Sequence, residues 1–251
     1  MAPTVRTAIV LSAGLGVRLK TLTAQRPKPL LPVANRPLVT YAFDHLLEAG
    51  VERLIVNTHW RPEAFDRAFP EKCYRGAPVI LRHEAPEVLE SAGGIKNVQD
   101  LLEDAPFLVH NGDILSTLPL APALAHHLDS GNEVTLILRS KGGPLQIGFD
   151  ESSGRILDVA GRLHPAGEGL FLFTGIYVVS PEFLRRVPPA RKLSVIPIFC
   201  DMIREDAKLG GIVIDEGAWW DLGTREQYLA VHRWLAETPL PSTGAAPWVH
   251  P

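Results

Sequence analysis

Short apolar runs alternate with longer stretches of helical period through the first half of this chain. That alternation predicts strands and helices in turn, and hence a mainly parallel α/β sheet. Strands are expected at residues 8–11, 54–57, 79–82 and 107–111, which are dominated by Val, Ile, Leu, Ala and Phe. Between the first two, Leu38, Ala42, His45, Leu46 and Ala49 fall on one face of a helix over residues 37–49. Asn35 is placed to cap that helix and Gly50 to end it. Ser91 is expected to cap another helix, through Ile95, Val98 and Leu102.

The second half reads differently. Strands at residues 133–139, 145–150, 155–159 and 170–179 are separated by short, Gly-rich turns, which predicts antiparallel pairing there, and a further strand is expected at residues 212–214. Helices are expected at residues 181–186, 194–205 and 224–236, the last capped by Thr224. The Pro-, Ala- and Gly-rich segment 238–251 is expected to be loosely held. No internal repeat or linker interrupts the chain, so residues 1–237 are expected to form a single domain.

The first strand runs into the most informative stretch, Leu11-Ser12-Ala13-Gly14-Leu15-Gly16-Val17-Arg18. Glycines let backbone N–H groups approach an anion closely, and Arg18 can neutralise part of its charge. A dinucleotide-binding turn would need a third glycine where Leu19 stands, and a P-loop would need a Gly-Lys pair, which the chain lacks. Ten residues after Arg18 comes Pro27-Lys28-Pro29, where two prolines stiffen the backbone and aim an ammonium group at low entropic cost. Two cations beside a glycine loop suit a nucleoside triphosphate.

The pair formed by Gly14-x-Gly16-x-Arg18 and Pro27-Lys28-Pro29-Leu30-Leu31-Pro32 closely resembles the opening of sugar-1-phosphate nucleotidylyltransferases. The resemblance covers roughly the whole chain up to Leu235. It implies a Rossmann-like mixed, mainly parallel sheet flanked by helices, with a smaller antiparallel sugar-side subregion. It also implies that a nucleoside triphosphate, UTP or GTP favoured, is joined to a sugar 1-phosphate to give a nucleotide sugar and pyrophosphate. Residues 1–115 would then be the nucleotide half and 116–237 the sugar half.

Two carboxylates carry the expected metal chemistry. Asp113 follows a buried strand in His110-Asn111-Gly112-Asp113, at the carboxyl end where ligands of open α/β sheets sit. Alone it also reads as an ordinary turn residue. The resemblance assigns it to Mg²⁺, which takes one or two protein oxygens together with phosphate oxygens. Asp221 lies in Trp219-Trp220-Asp221-Leu222-Gly223-Thr224, similar to a family element whose aspartate completes the metal site. Its alternative role is that of a helix-start residue.

Arg18 and Lys28 are thus the expected catalytic cations. Leu11, Ser12, Ala13, Gly14, Gly16, Ser91 and Gly93 are the expected nucleotide contacts, and Thr174, Gly175 and Arg162 the expected sugar contacts. The small residues of Ser91-Ala92-Gly93-Gly94 would let a base lie against a helix start; a cap and a flexible turn explain them equally well. Relatives carry a glycine where this chain has Glu90, a variant associated with a subgroup that includes N-acetylmuramate-1-phosphate uridylyltransferases; mannose- and heptose-1-phosphate guanylyltransferases are similar enough to stay in play. The Glu-Lys-Pro that contacts the sugar phosphate in many relatives is absent near residues 158–164, where Arg162 stands instead.

The formal net charge of −3 without a basic block excludes a wrapper of nucleic-acid polymers. No window approaches the ~20 apolar residues of a membrane helix, and the N-terminus lacks a signal-peptide h-region, so a cytoplasmic protein is expected. Cys73 and Cys200 are expected to be inert, and His59, His126 and His127 lack companions at metal-ligand spacing. Two other readings stay open: a cytidylyltransferase acting on a non-sugar phosphate such as phosphocholine, and a non-catalytic sensor of nucleotide sugars. Self-association into a homo-oligomer is also left open.

Overall fold

The computed structural model describes residues 4–163 and 169–238. Its elements are β1 (Thr7–Leu11), β2 (Pro32–Val33), β3 (Arg36–Pro37), α1 (Val39–Glu48), β4 (Arg53–Thr58), α2 (Pro62–Ala68), β5 (Cys73–Tyr74), β6 (Ala77–His83) and α3 (Glu90–Asn97). These are followed by β7 (Phe107–Asn111), β8 (Ile114–Ser116), α4 (Ala121–Ser130), β9 (Val134–Arg139), β10 (Ile147–Asp150), β11 (Arg155–Val159) and β12 (Leu170–Val179). The last are α5 (Val195–Arg204), β13 (Leu209–Val213), β14 (Trp219–Asp221) and α6 (Arg225–Glu237).

One sheet of order β10-β11-β13-β9-β12-β7-β1-β4-β6-β5 runs through the molecule. Strands β6, β4, β1 and β7 are parallel, as their apolar runs predict. Beyond β7 the pairing changes: β12 is antiparallel to both β7 and β9. The antiparallel strands therefore continue the parallel sheet. Strand β13 pairs parallel with β9.

Both faces of the parallel strands are apolar because both are covered. Ile9, Ile55 and Val109 face one layer, packed with Ala92 and Ile95 of α3 and Phe199 and Met202 of α5. Ala8, Val10, Leu54, Val56 and Leu108 face the other, against Ala42, Phe43 and Leu46 of α1 and Phe65 of α2. A third cluster joins Leu38 and Leu115 to Leu222, Val231 and Leu235, which anchors α6.

Local chemistry corrects two expected caps. Asn35 does not cap α1: Ala34 and Asn35 have φ of +46° and +61° and form the turn between β2 and β3, so the helix starts after Leu38. Two consecutive left-handed residues match the twist of a tight hairpin, and Asn tolerates that conformation well. Ser91 does not cap α3, which begins at Glu90; its hydroxyl instead accepts the Val195 N–H at 2.9 Å. Ser194 and Thr224 do cap their helices, Thr224 within a capping box closed by Gln227. Leu145 and Gln146 precede β10 rather than belonging to it, and residues 181–186 form a 3₁₀ helix. Expected features at residues 239–251 and at His164 lie outside the described residues. Among the described residues, no helix is long and apolar enough to cross a membrane.

Candidate active site

The carboxyl ends of β1, β4 and β7 bring Leu11, Asn57 and Asn111 to one edge of the sheet. The chain leaves β1 toward β4 and β6 on one side and returns to β7 on the other, the topological switch point where α/β sheets open a crevice. A cavity of about 520 Å³ lies there, lined by the whole of residues 11–18 together with Lys28, Asn57, Glu90, Ser91 and Asp113. A second, of about 380 Å³, adjoins it and is lined by Arg162, Thr174, Gly175 and Asp221. Arg18, Asn111 and Asp113 line both.

Two of the loop glycines answer different steric needs. Gly16 has φ +62°, and a Cβ there would stand 3.1 Å from Cβ of Lys28. Only glycine takes that conformation freely while letting the lysine segment close in. Gly14 has nothing within 4 Å of its missing Cβ, so the wall is open where an anion would approach.

Lys28 emerges from Pro27, held at φ −55° and ψ 142°, and is only 5% exposed. Its ammonium donates to Oδ2 of Asp113 at 2.5 Å and lies 3.7 Å from Oδ1 of Asp221. The two aspartates are far apart in sequence but neighbours in register. Asp221 ends β14 opposite Ile114 of β8, and the Leu222 N–H donates to the Asp113 carbonyl at 3.3 Å. Gly112 makes the turn into Asp113 possible, since a Cβ there would meet Ser12 Oγ at 2.3 Å. Arg18 rests on Gly223, whose missing Cβ would lie 2.9 Å from the guanidinium.

The electrostatics follow. Burial pushes the Asp221 carboxyl above the usual range, and the neighbouring Asp113 charge pushes the same way; Lys28 and Arg18 oppose them. Two acids that face each other across one ammonium are a site that gains from added positive charge. Among the described residues no cluster of three or more His, Cys, Asp or Glu forms a metal cage. A pair of carboxylates suits Mg²⁺, which keeps waters and phosphate oxygens in its shell.

The remaining expected residues have more varied places. Gly93 does not line the cavity. It lies under the backbone of residue 191, where a Cβ would stand 2.2 Å from the carbonyl oxygen, so its smallness serves helix-to-loop packing. The Thr174 side chain is fully buried, and its hydroxyl donates to the Ile137 carbonyl at 2.7 Å, which leaves it supporting the wall. Gly175, at φ +74° in a β12 irregularity, leaves the space that Asn111 occupies. His59 meets the Glu84 carbonyl, and His127 bridges Thr135 and Ser180.

A buried relay escaped the sequence reading. Asn57 Oδ1 accepts the Ser12 N–H at 2.8 Å, and its amide donates to Glu84 Oε1 at 2.7 Å. Glu84 Oε2 in turn accepts the Leu89 N–H at 2.7 Å, tying the glycine loop to the start of α3. Burial raises the Glu84 pKa, with the Leu89 and Asn57 hydrogen bonds opposing it. The only signal was position: Asn57 ends a strand at the sheet edge where the loop of β1 also ends.

Residues 7–238 match the family described as nucleotidyl transferase. A mannose-1-phosphate guanylyltransferase of Mycobacterium tuberculosis is 32% identical over 228 residues, covering 88% of this chain; the chain spans 62% of that enzyme's length. An N-acetylmuramate alpha-1-phosphate uridylyltransferase of Caulobacter vibrioides is 31% identical over 246 residues, covering 94% of this chain and 100% of the relative. A putative glucose-1-phosphate thymidylyltransferase of Bacillus anthracis superposes with a TM-score of 0.80 at 17% identity, covering 95% of this chain and 98% of its own. At that identity it speaks for the fold alone.

Proposed function

This chain belongs to the nucleotidyl transferase family, and we propose that it joins a nucleoside triphosphate to a sugar 1-phosphate, releasing pyrophosphate. The observation that carries this reading is the convergence of Lys28, Arg18, Asp113 and Asp221 at the junction of two adjoining cavities. One cavity has the glycine loop for a triphosphate, and the other has room for a second, smaller substrate.

In this reading a phosphate oxygen of the sugar 1-phosphate attacks the α-phosphorus in line. The bond from that phosphorus to the β-phosphate bridge oxygen breaks, and pyrophosphate leaves with the electron pair. The nucleophile is already ionised at neutral pH, so positioning and charge neutralisation matter more than a base. The loop amides and Arg18 hold the β- and γ-phosphates. Lys28 stands between the α-phosphate and the incoming phosphate and offsets their repulsion. Arg162 faces the second cavity, as a cation for the sugar's phosphate. Asp113 and Asp221 are the residues that would hold Mg²⁺, which when bound neutralises charge on the α-phosphate and the departing pyrophosphate.

A sensor of nucleotide sugars needs no such set of charges around the reacting phosphorus, and a non-sugar acceptor needs no cavity of the second one's size. The test is a matrix of five nucleoside triphosphates against several sugar 1-phosphates and phosphocholine, read as Mg²⁺-dependent pyrophosphate release. Release with UTP or GTP and a sugar 1-phosphate is the expected outcome. Release with phosphocholine alone, or with no acceptor in the panel, would overturn the reading.

A further inference from the structure

The wall of the first cavity carries two charged side chains that the chemistry above leaves unused. Glu90 and Lys192 line that cavity and not the second. Neither has a side-chain hydrogen bond or ion pair among the described residues. Arg18 and Asp113, which the proposed reaction places around the phosphates, lie where the cavities meet. A nucleotide seated with its phosphates at that junction extends its base toward the wall formed by Val88, Glu90, Ser91 and Lys192.

That wall is built stiffly. Glu90 has φ +60°, a conformation L side chains rarely adopt, and it persists because both flanks are held. Leu193 donates its N–H to the Leu89 carbonyl at 2.9 Å and accepts the N–H groups of Ala92 and Gly93 at 2.8 and 3.0 Å. Ser91 Oγ accepts the Val195 N–H, and Glu84 holds the Leu89 N–H. Residues 90 and 192 are therefore each one step in the chain from a shared hydrogen-bonded clamp. A carboxylate and an ammonium are thus offered to the same cavity from fixed backbone.

The two groups have opposite and unambiguous hydrogen-bonding capacity: an ionised carboxylate only accepts, and an ammonium only donates. Uracil, thymine and guanine present a ring N–H beside a carbonyl oxygen. Cytosine and adenine present a ring nitrogen lone pair there, which a carboxylate repels. We propose that Glu90 accepts the ring N–H and Lys192 donates to the adjacent carbonyl oxygen, so that this chain selects keto bases over amino bases. The proposal rests on the cavity's holding a nucleotide, as the proposed function has it, and extends that reading to the base.

The experiment measures binding of UTP, GTP, CTP and ATP to the whole chain by calorimetry with Mg²⁺, and pyrophosphate release alongside. 3-Methyl-UTP, which lacks the ring donor, is included. The native chain is expected to prefer UTP over both CTP and 3-methyl-UTP by about tenfold or more. In Glu90→Gln and Glu90→Ala both ratios should fall toward one; because each is taken within one variant, a general loss of affinity or stability cancels. Lys192→Met should narrow the UTP-to-CTP ratio and leave the methylated analogue still disfavoured. Unchanged ratios in the Glu90 variants overturn the base assignment and leave the transferase reading intact. Base-selective binding without pyrophosphate release removes the reaction and leaves the assignment standing, and an absence of nucleotide binding overturns both.

Discussion

The two cavities are built by different means. Around the first, the distinctive groups are charged side chains set at the ends of parallel strands and in the loops that follow them. Lys28 is fixed by flanking prolines and Asp113 by the turn at Gly112. Around the second, much of the wall is backbone: the left-handed Gly175, the irregular register of β12, and a Thr174 hydroxyl spent on the Ile137 carbonyl. Charges can be removed with the fold intact, whereas backbone devices cannot. Substitutions in the first region should therefore strike turnover, and those in the second should strike stability.

The largest effect is expected at Lys28. Lys28→Ala should lower the rate of pyrophosphate release by about 10²–10³-fold, the size seen when one preorganised charge-stabilising donor is lost. Circular dichroism should show the native fold, because its partners Asp113 and Asp221 each keep about a third of their side chains exposed, so that water can take over from the lost ammonium. Turnover within tenfold of the native chain would remove Lys28 from the chemistry. Loss of the fold would break the contrast between the two regions.

Gly175→Ala probes the other side. A methyl group there would stand 2.5 Å from the Asn111 amide nitrogen, and φ +74° is costly for any residue with a Cβ. A loss of about 1–3 kcal/mol in unfolding free energy is expected from the strain alone. Denaturant titration measures it. Because Asn111 lines both cavities, any fall in affinity should appear for both substrates and not only for the sugar phosphate. An unchanged midpoint would show that β12 has room to relax.

The same contrast explains what could be read from the sequence. Gly14, Gly16, Arg18 and Lys28 were legible because they lie within 15 residues, in segments whose backbone is dictated by glycine and proline. Asp113 was legible from the strand before it, and Asp221 from its Trp-Trp-Asp-Leu-Gly-Thr surroundings. The structure brings those four charged groups together. The pairing of β8 with β14, which makes neighbours of Asp113 and Asp221, was not legible because three-residue strands carry no usable period. Nor was the Asn57–Glu84 relay, since an Asn at a strand end looks like any turn residue until its partner is known. Asn35 and Ser91 were misread as caps for a related reason. Their side chains are suited to capping, but a hairpin turn and a contact with Val195 had prior claim on them.

The smallest expected effect is a pH dependence of stability at His127. His127 is 2% exposed between Thr135 and Ser180, and burial, aided by neighbouring His126, pushes its pKa down to about 4. An unfolded chain takes up the same proton near pH 6.5. Between those values the unfolded state binds more protons, so this contribution to stability is whole above about pH 6.5. It is lost as the pH falls toward 4, at about 1.4 kcal/mol per pH unit. From pH 7 to pH 5 the loss assignable to His127 is about 2 kcal/mol. His110, driven to about 3 by burial and by His45, adds a slope of the same sign. His127→Gln keeps a side chain able to bond Thr135 and Ser180 but does not titrate, so the difference between variant and native chain isolates one proton. Urea titrations at pH 7 and pH 5 should show the variant losing about 2 kcal/mol less than the native chain. Equal losses would mean that a proton enters beside β9 without opening the fold, and that the packing around His127 is softer than its burial implies.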